Sequence, residues 1–432
     1  MTQSYRYAGL EAVHKTGLTV EECAGRLHHL AYAEEQLFLL QAAHIVTTPE
    51  WDVKLLLGRL QYEDAQHADP LKNRLTELRV SKKKAYKPPD GDRLGPVFDE
   101  AIYSANTVEL LAALSRVFKP ALLQAYQKYL ADTNGLADQP TVRILKTVIA
   151  EEEEALALLQ AAYQDIVDTP EKEAQATRWA NALRHRLAAA GGIDGSRPAQ
   201  PQPPPPERAT GRYVIPKKLA RDDTFDKIWD FIHVENKNVA ERLAQMIATR
   251  LAEISAAEAL AFVLWDAQEQ PWPFYLDVSR HLWDEIRHTI FGEVATEDVF
   301  CDRSAMPLRT FDDASVVQMT PVEMYAMLGI GVEAALMKYP PGKREEFEFC
   351  RDSARYPLMA TLQDFDWADE VLHVNIARRQ LKDWFEGSQS ELLALAQKGL
   401  EIRAGMRHDH PQSNLPNLSD RLAEIQAEAS RG

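Results

Sequence analysis

Apolar residues recur at spacings of three and four along nearly the whole chain, and alternating β-branched runs are scarce, so the pattern predicts helix almost throughout. In the first half, Thr19-Val20-Glu21-Glu22 is a capping box opening a segment to about Val46, and Thr48-Pro49 starts the next helix with proline where a missing N–H costs nothing. Asp69-Pro70 interrupts or ends that helix; a third is expected from about Thr107 to Leu130 and a fourth from about Pro140 to Val167. The second half repeats the plan. A helix is expected from about Asn236 to Gln270, broken by Gln270-Pro271-Trp272-Pro273, and the next from about Phe274 to Glu293. Thr320-Pro321-Val322-Glu323 is another capping box, opening a helix that stops before Pro340-Pro341-Gly342; the fourth is expected from about Pro357 to Gly387. Four long helices per half, in two hairpins, predict an all-α protein of two tandem four-helix bundles.

The stretch from Gly191 to Pro216 is rich in proline, which favours extended polyproline II and predicts a semi-rigid linker. The expected organisation is therefore a bundle over 1–190, a linker over 191–216, a second bundle over 217–387 and a helical or disordered tail over 388–432. The tail's His408-Asp409-His410 is read as solvated polar sequence. The net charge of −16 repels phosphate backbones and argues against nucleic acid as the default partner. Cys23, Cys301 and Cys350 form no CxxC, so neither a disulfide framework nor a thiolate zinc site is indicated and a reducing compartment fits. The N-terminal residues lack the apolar run of a secretory signal, and no stretch is long and apolar enough for a membrane span. The expectation is a cytoplasmic protein.

The chemistry lies in the acids and histidines of the second half that share faces with apolar residues. Glu258 has Leu251, Ile254, Ala261, Phe262 and Trp265 on its face, whereas Glu253, with Thr249 and Arg250 one turn back, reads as solvated. Glu333 is surrounded by Gly329, Ile330, Leu336 and Met337; Glu323 is the capping-box acid. The second and fourth helices carry Glu285-Ile286-Arg287-His288 and Glu370-Val371-Leu372-His373, each stacking a carboxylate and an imidazole one turn apart. Glu258 lies twelve residues before Gln270 and Glu285 twelve after Pro273, so at about 1.5 Å per residue both fall at one level. Two inward glutamates and two Glu-x-x-His motifs are the six-ligand set of a di-iron or di-manganese carboxylate bundle. His281 and Asp366, four residues before the motif glutamates, are candidates for a seventh ligand or for groups that orient the ligands. Trp265, Trp283, Tyr325 and Trp367 are read as core packing rather than redox centres.

The first half looks like a worn copy. Asp64 and His67 fall on Glu285 and His288, Glu152 falls on Glu370, Ala155 replaces the second histidine, and Lys119 stands where Glu333 would be. Glu34 or Glu35 corresponds to Glu258, and spacing does not decide between them; Glu35 with Asp64, His67 and Glu152 is the expected degenerate set. A lysine ammonium at position 119 could replace a metal's charge, so a metal-free first domain is expected, the rival being a weak mononuclear site at Asp64 and His67.

These residues resemble the ferritin-like di-iron carboxylate superfamily, and Trp272-Pro273-Phe274-Tyr275 with Trp283-Asp284-Glu285-Ile286-Arg287-His288 is similar to a ferritin-like family near a tRNA hydroxylase. The resemblance implies Glu258, Glu285, His288, Glu333, Glu370 and His373 as ligands of two Fe ions, with Mn or mixed Fe/Mn compatible. It implies an oxidase or oxygenase that activates O2 against a small-molecule substrate, with room for an electron donor and for homo-oligomers. The alternatives are a ferroxidase or metal-handling protein without organic substrate, and a non-catalytic helical scaffold.

Overall fold

Helix follows from the pattern, and among the described residues of the computed structural model (5–201, 204–233 and 237–429) the only sheet is one parallel pair, β1 (Lys227–Ile228) with β2 (Leu308–Arg309). The chain divides into two compact units: Met1–His44 with Leu60–Val214, and Ile45–Arg59 with Ile215–Gly432. The division is thus not a simple halving at the proline tract, of which Gln202 and Pro203 lie outside the described residues.

In the first unit the principal helices are α1 (Val20–Ile45), α2 (Trp51–Glu77), α3 (Thr107–Ala113), α4 (Lys119–Asp132), α5 (Gln139–Ile166) and α6 (Pro170–Ala189). The opening residues of α2, through Arg59, and the last of α1, Ile45, are assigned to the second unit. Asp69-Pro70 does not end α2: the helix runs through Pro70 to Glu77. Between α3 and α4 the backbone widens into a π turn, Leu114–Phe118. The proline-rich stretch, expected as a linker, is tied to the first unit up to Val214. Glu100, fully buried, accepts backbone N–H bonds from Glu207, Arg208 and Ala209, and Arg186 donates to the carbonyls of Pro204 and Pro205.

The second unit contains α7 (Val239–Leu251), α8 (Ile254–Asp266), α9 (Trp272–Phe300), α10 (Pro321–Tyr325), α11 (Lys343–Glu348), α12 (Pro357–Trp384), α13 (Gln389–Met406) and α14 (Ser419–Ala429). The expected helix start at Asn236 lies outside the described residues; the capping box that opens α7 is Asn238 with Glu241. The expected boxes at Thr19 and Thr320 both form. A second π segment, Ala326–Glu333, follows α10 and leads into one last turn, Ala334–Leu336.

The segment after Gly387 is part of this unit rather than an appendage. On α13, a Cβ at Gly399 would lie 2.5 Å from Met327 Cβ, so only glycine lets that helix approach the π segment so closely. Leu243, Ile247, Leu251, Leu260, Val278, Leu282, Ile286 and Leu381 are fully buried and form the apolar interior.

Two interruptions decide which side chains face that interior. The π segment is one. The other separates α7 from α8, where the backbone bonds tighten to i→i−3: Glu253 N–H to Arg250 C=O, Ser255 to Ala252 and Ala256 to Glu253. A tightened turn advances about 120° per residue against about 100° in an α-helix, so residues beyond the joint present a rotated face. The joint sits against α9 where Gly292 permits contact; a Cβ there would fall 2.8 Å from Leu251 Cα. Gly292→Ala is therefore expected to destabilise the protein by about 1–3 kcal/mol through overpacking. Urea unfolding of the two proteins checks this, and an unchanged midpoint would mean that the helices are not held this closely.

Candidate metal centre

Two groups of acids and histidines, all buried except the part-buried Glu253, adjoin inside the second unit. One is His281, Glu285, Glu333 and His373; the other is Glu253, His288, Asp366 and Glu370. In each, one oxygen or ring nitrogen per residue lies within 4.8 Å of the others. α9 supplies His281, Glu285 and His288 at i, i+4 and i+7; α12 supplies Asp366, Glu370 and His373 in the same register. Glu333 ends the π segment and Glu253 sits on the joint between α7 and α8.

The two motifs brace one another. His373 Nε2 lies 3.3 Å from Asp284 on α9, and His288 Nε2 lies 3.4 Å from Asp369 on α12. Each aspartate immediately precedes a motif glutamate, so both motifs are Asp-Glu-x-x-His and each orients the other's imidazole. Arg280 and Arg287 neutralise both aspartates from outside. With their Nε2 sides engaged, His288 and His373 turn Nδ1 inward, the arrangement by which a carboxylate fixes a ligating imidazole.

The inward atoms are incompletely satisfied. Glu253 Oε2, His288 Nδ1, Glu333 Oε2, Glu370 Oε2 and His373 Nδ1 are buried without a hydrogen-bond partner; His281 instead turns Nε2 inward, to Glu333 and Glu285. His373 Nδ1 lies 3.3 Å from Glu285 Oε1, and His288 Nδ1 lies 3.4 Å from Asp366 and 3.6 Å from Glu253. Buried polar atoms are normally paired, so a concentration of such orphans is a place that could hold a cation. Oxygen and imidazole donors without thiolate fit divalent iron or manganese.

The two groups are not equivalent. Lys343, fully buried on α11, places Nζ 2.9 Å from both Asp366 oxygens and 2.9 Å from Glu370 Oε1, and Arg250 pairs with Asp366 and, at 3.0 Å, with Glu253. Among the described residues no lysine or arginine pairs with Glu285 or Glu333; their partners are the histidines, with His281 Nε2 2.9 Å from Glu333 Oε1. Five acids (Glu253, Glu285, Glu333, Asp366, Glu370) face only two fixed cations, Arg250 and Lys343, so ionising all of them would leave a surplus of negative charge. Without metal, that surplus is relieved by protons. Burial disfavours charge on His281, His288 and His373, but the neighbouring carboxylates overcome it and raise all three above the ordinary imidazole range. Burial pushes Glu253 up to about 8. Burial also opposes ionisation of Glu285, yet His281, His373 and His288 hold it well below the usual range.

Of the sequence-assigned ligands, Glu285, His288, Glu333, Glu370 and His373 come together, and His281 and Asp366 join them. Glu258 does not. It is fully buried, but α8 turns it to Lys54 and to Arg221, whose guanidinium makes contacts of 2.7 and 2.6 Å with its two oxygens and also pairs with Asp313. Burial presses Lys54 down to about 8. The inward acid on this side is Glu253, which a continuous 3.6-residue helix would have left in solvent; the tightened joint rotates it in. Its partners in sequence, Thr249 and Arg250, gave no hint, although Arg250 faces the same interior.

The first unit holds the parallel set Glu34, Asp64, His67 and Glu152. Glu34 faces in, accepting from Tyr126 at 2.5 Å, and Glu35 turns away to Lys72 at 2.5 Å, so the assignment of Glu35 is corrected to Glu34. Lys119 follows the π turn directly and its Nζ reaches Asp64 and, at 2.6 Å, Glu152. Burial opposes its charge, but these acids and Glu34 keep the ammonium protonated far above neutral pH.

No family model matches this chain, and no curated protein or solved structure matches it.

A cavity of about 490 Å³ reaches the centre, with Glu253, Glu285, Glu333 and Glu370 in its wall. Of the aromatics read as packing, Tyr325 is fully buried, its ring 5.9 Å from that of His281, while Trp265, Trp283 and Trp367 are half-buried. Among the described residues no helix is long and apolar enough to cross a membrane, and Cys23, Cys301 and Cys350 are free.

Two outcomes follow. Glu258→Gln should cost about 3–5 kcal/mol, because it leaves Lys54 and Arg221 undercompensated, yet should leave metal affinity unchanged. Glu253→Gln should do the reverse, and unfolding curves alongside metal titrations separate the two cases. The second concerns pH. Histidines with raised pKa values stabilise the metal-free fold fully below about pH 6.5, and that contribution is lost as pH rises through their raised values. Metal needs the same groups deprotonated, so its affinity should rise over the pH range in which metal-free stability falls. Calorimetric titrations between pH 6 and 9 check this; an affinity that stays flat or declines would contradict it.

Proposed function

We propose that the second unit is a carboxylate-bridged di-metal centre of the ferritin-like kind, most suited to iron, and that the protein is an O2-activating oxidase or oxygenase acting on a small organic molecule. The observation that carries this is the convergence of Glu and His atoms, many without partners, from the α7–α8 joint, α9, the π segment and α12 into two adjoining groups. The metals, when bound, would supply the redox chemistry with O2.

The chain's own residues do the rest. Glu285, Glu333, His281 and His373 would hold the first ion, since no lysine or arginine pairs with them. Glu253, His288 and Glu370 would hold the second only when Lys343 gives up Glu370, so the two positions differ in affinity. Asp284 and Asp369 keep the imidazoles aimed inward. The π segment widens the helix carrying Glu333 directly beside the cavity; π insertions in helices recur at functional sites.

The cavity favours an organic substrate over iron storage, because it gives a molecule larger than O2 access to Glu285 and Glu333. In the first unit Lys119 supplies the positive charge that a metal would bring, which favours a metal-free, structural copy. The π turn preceding Lys119 and the π segment ending at Glu333 support the reading of the two units as duplicates.

Anaerobic Fe(II) titration is expected to give about two ions per chain, the second weaker. Glu333→Gln or His373→Ala should abolish the tighter site, Lys343→Met should tighten the weaker one about tenfold or more, and His67→Ala should change neither. Exposure to O2 should consume a stoichiometric amount of Fe(II) without mineral growth. Binding of less than about 0.3 ion per chain, or loss of metal on His67→Ala alone, would overturn the assignment.

A further inference from the structure

The cavity's open side carries an arrangement that the metal ligands do not explain. Arg309, Arg403 and Arg407 all line it. Their guanidiniums stack over the ring of Phe311 at 4.9, 4.9 and 5.1 Å, which fixes their orientation. Among the described residues two acids pair with the three: Arg309 and Arg403 share Asp312 at 2.6 and 2.7 Å, and Arg407 pairs with Asp230 at 2.7 Å. One positive charge is left over at this end of the cavity, apart from the acids Glu253, Glu285, Glu333 and Glu370 elsewhere in its wall. Arg309 is 7% exposed, and its Nε is buried without any acceptor. A buried guanidinium N–H left unpaired costs free energy unless something arriving in the cavity accepts it. A planar fork of N–H donors matches a carboxylate or phosphate. The part-exposed Arg403 and Arg407 mark the solvent side of the cavity, whereas Glu333 and Glu370 mark its closed side. Met327, Leu328, Val332 and Leu336, on the π segment and the turn after it, supply an apolar part of its wall.

We propose that this cavity binds an amphiphilic organic anion, its carboxylate or phosphate held by the Arg309–Arg403–Arg407 cluster and its apolar body lying along the π segment toward Glu333. That the apolar body is what the protein oxidises rests on the di-metal reading; that the cavity prefers anions does not. A head fixed at the solvent side and an apolar body reaching the closed side would also set which carbon meets the centre.

The test is calorimetry on the full-length, metal-free protein with four probes of equal chain length: decanoate, decyl phosphate, decylamine and decanol. At least one of the two anions should bind ten or more times tighter than both the amine and the alcohol, and the tighter anion identifies the headgroup. Arg309→Gln should weaken that anion about tenfold or more while leaving decanol unchanged. Equal binding of all four probes, or no anion binding, overturns the proposal, as does an Arg309→Gln protein that binds the anion like the parent. The probe series on the parent protein decides the matter even if the variant fails to fold. Metal stoichiometry is measured separately: anion preference without metal binding would sink the di-metal reading alone, and metal binding without anion preference would sink this one alone.

Discussion

A carboxylate withdrawn from water must meet a positive charge, and this protein meets that demand in three ways. Glu258 is matched by Lys54 and Arg221, an arrangement that leaves its oxygens contacted on both sides. Asp64 and Glu152 in the first unit are matched by Lys119. At the junction of α9, α12, the π segment and the α7–α8 joint, Lys343 and Arg250 cover only part of the acid, and imidazoles stand where further cations would be needed. An isolated buried ion would cost far more than a folded domain's whole margin of stability, so this residual demand is the feature from which the functional reading grows.

Departures from the regular α-helix set the geometry. A uniform helix carries Glu253 and Glu258 on different faces, and only the three tightened hydrogen bonds around Ala252 select Glu253 for the interior. The π segment does the equivalent for Glu333, and the π turn before Lys119 does it for the first unit. Gly292 allows α7 to approach α9 at the joint, and Gly399 brings α13 against the π segment. Sequence, backbone irregularity and side-chain convergence therefore form one chain of cause.

Much of this was legible in the sequence because it depended on local spacing. The helices followed from periodicity and capping residues, and the two Glu-x-x-His motifs, with His281 and Asp366 one turn earlier, needed only the i, i+3, i+4 rule. Lys119 beside the first unit's buried acids followed from alignment of the halves. What failed depended on knowledge that spacing does not carry. The choice of Glu258 over Glu253 assumed an uninterrupted helix, spacing left Glu34 against Glu35 undecided, and neither reading could see distant partners such as Lys54 or Lys72. Lys343 was invisible because it comes from a short helix after a proline-rich bend. The arginine cluster was missed because its members lie on β2, on α13 and just beyond α13, in segments read as connection or tail. The proline tract's composition predicted an extended linker; the backbone bonds to Glu100 tie it to the first unit instead.

The central claim is that cations belong among Glu285, Glu333, His281 and His373, with a second position beside Glu253, His288 and Glu370. Anomalous diffraction from crystals of the Mn(II)-loaded protein, recorded on the low-energy side of the iron edge, tests it most directly. The account predicts a strong peak within bonding distance of the first four side chains and a weaker neighbour that appears together with a displaced Lys343 ammonium. Metal density at Asp64, His67 and Glu152, or at Glu258, with none between α9 and α12, would contradict it.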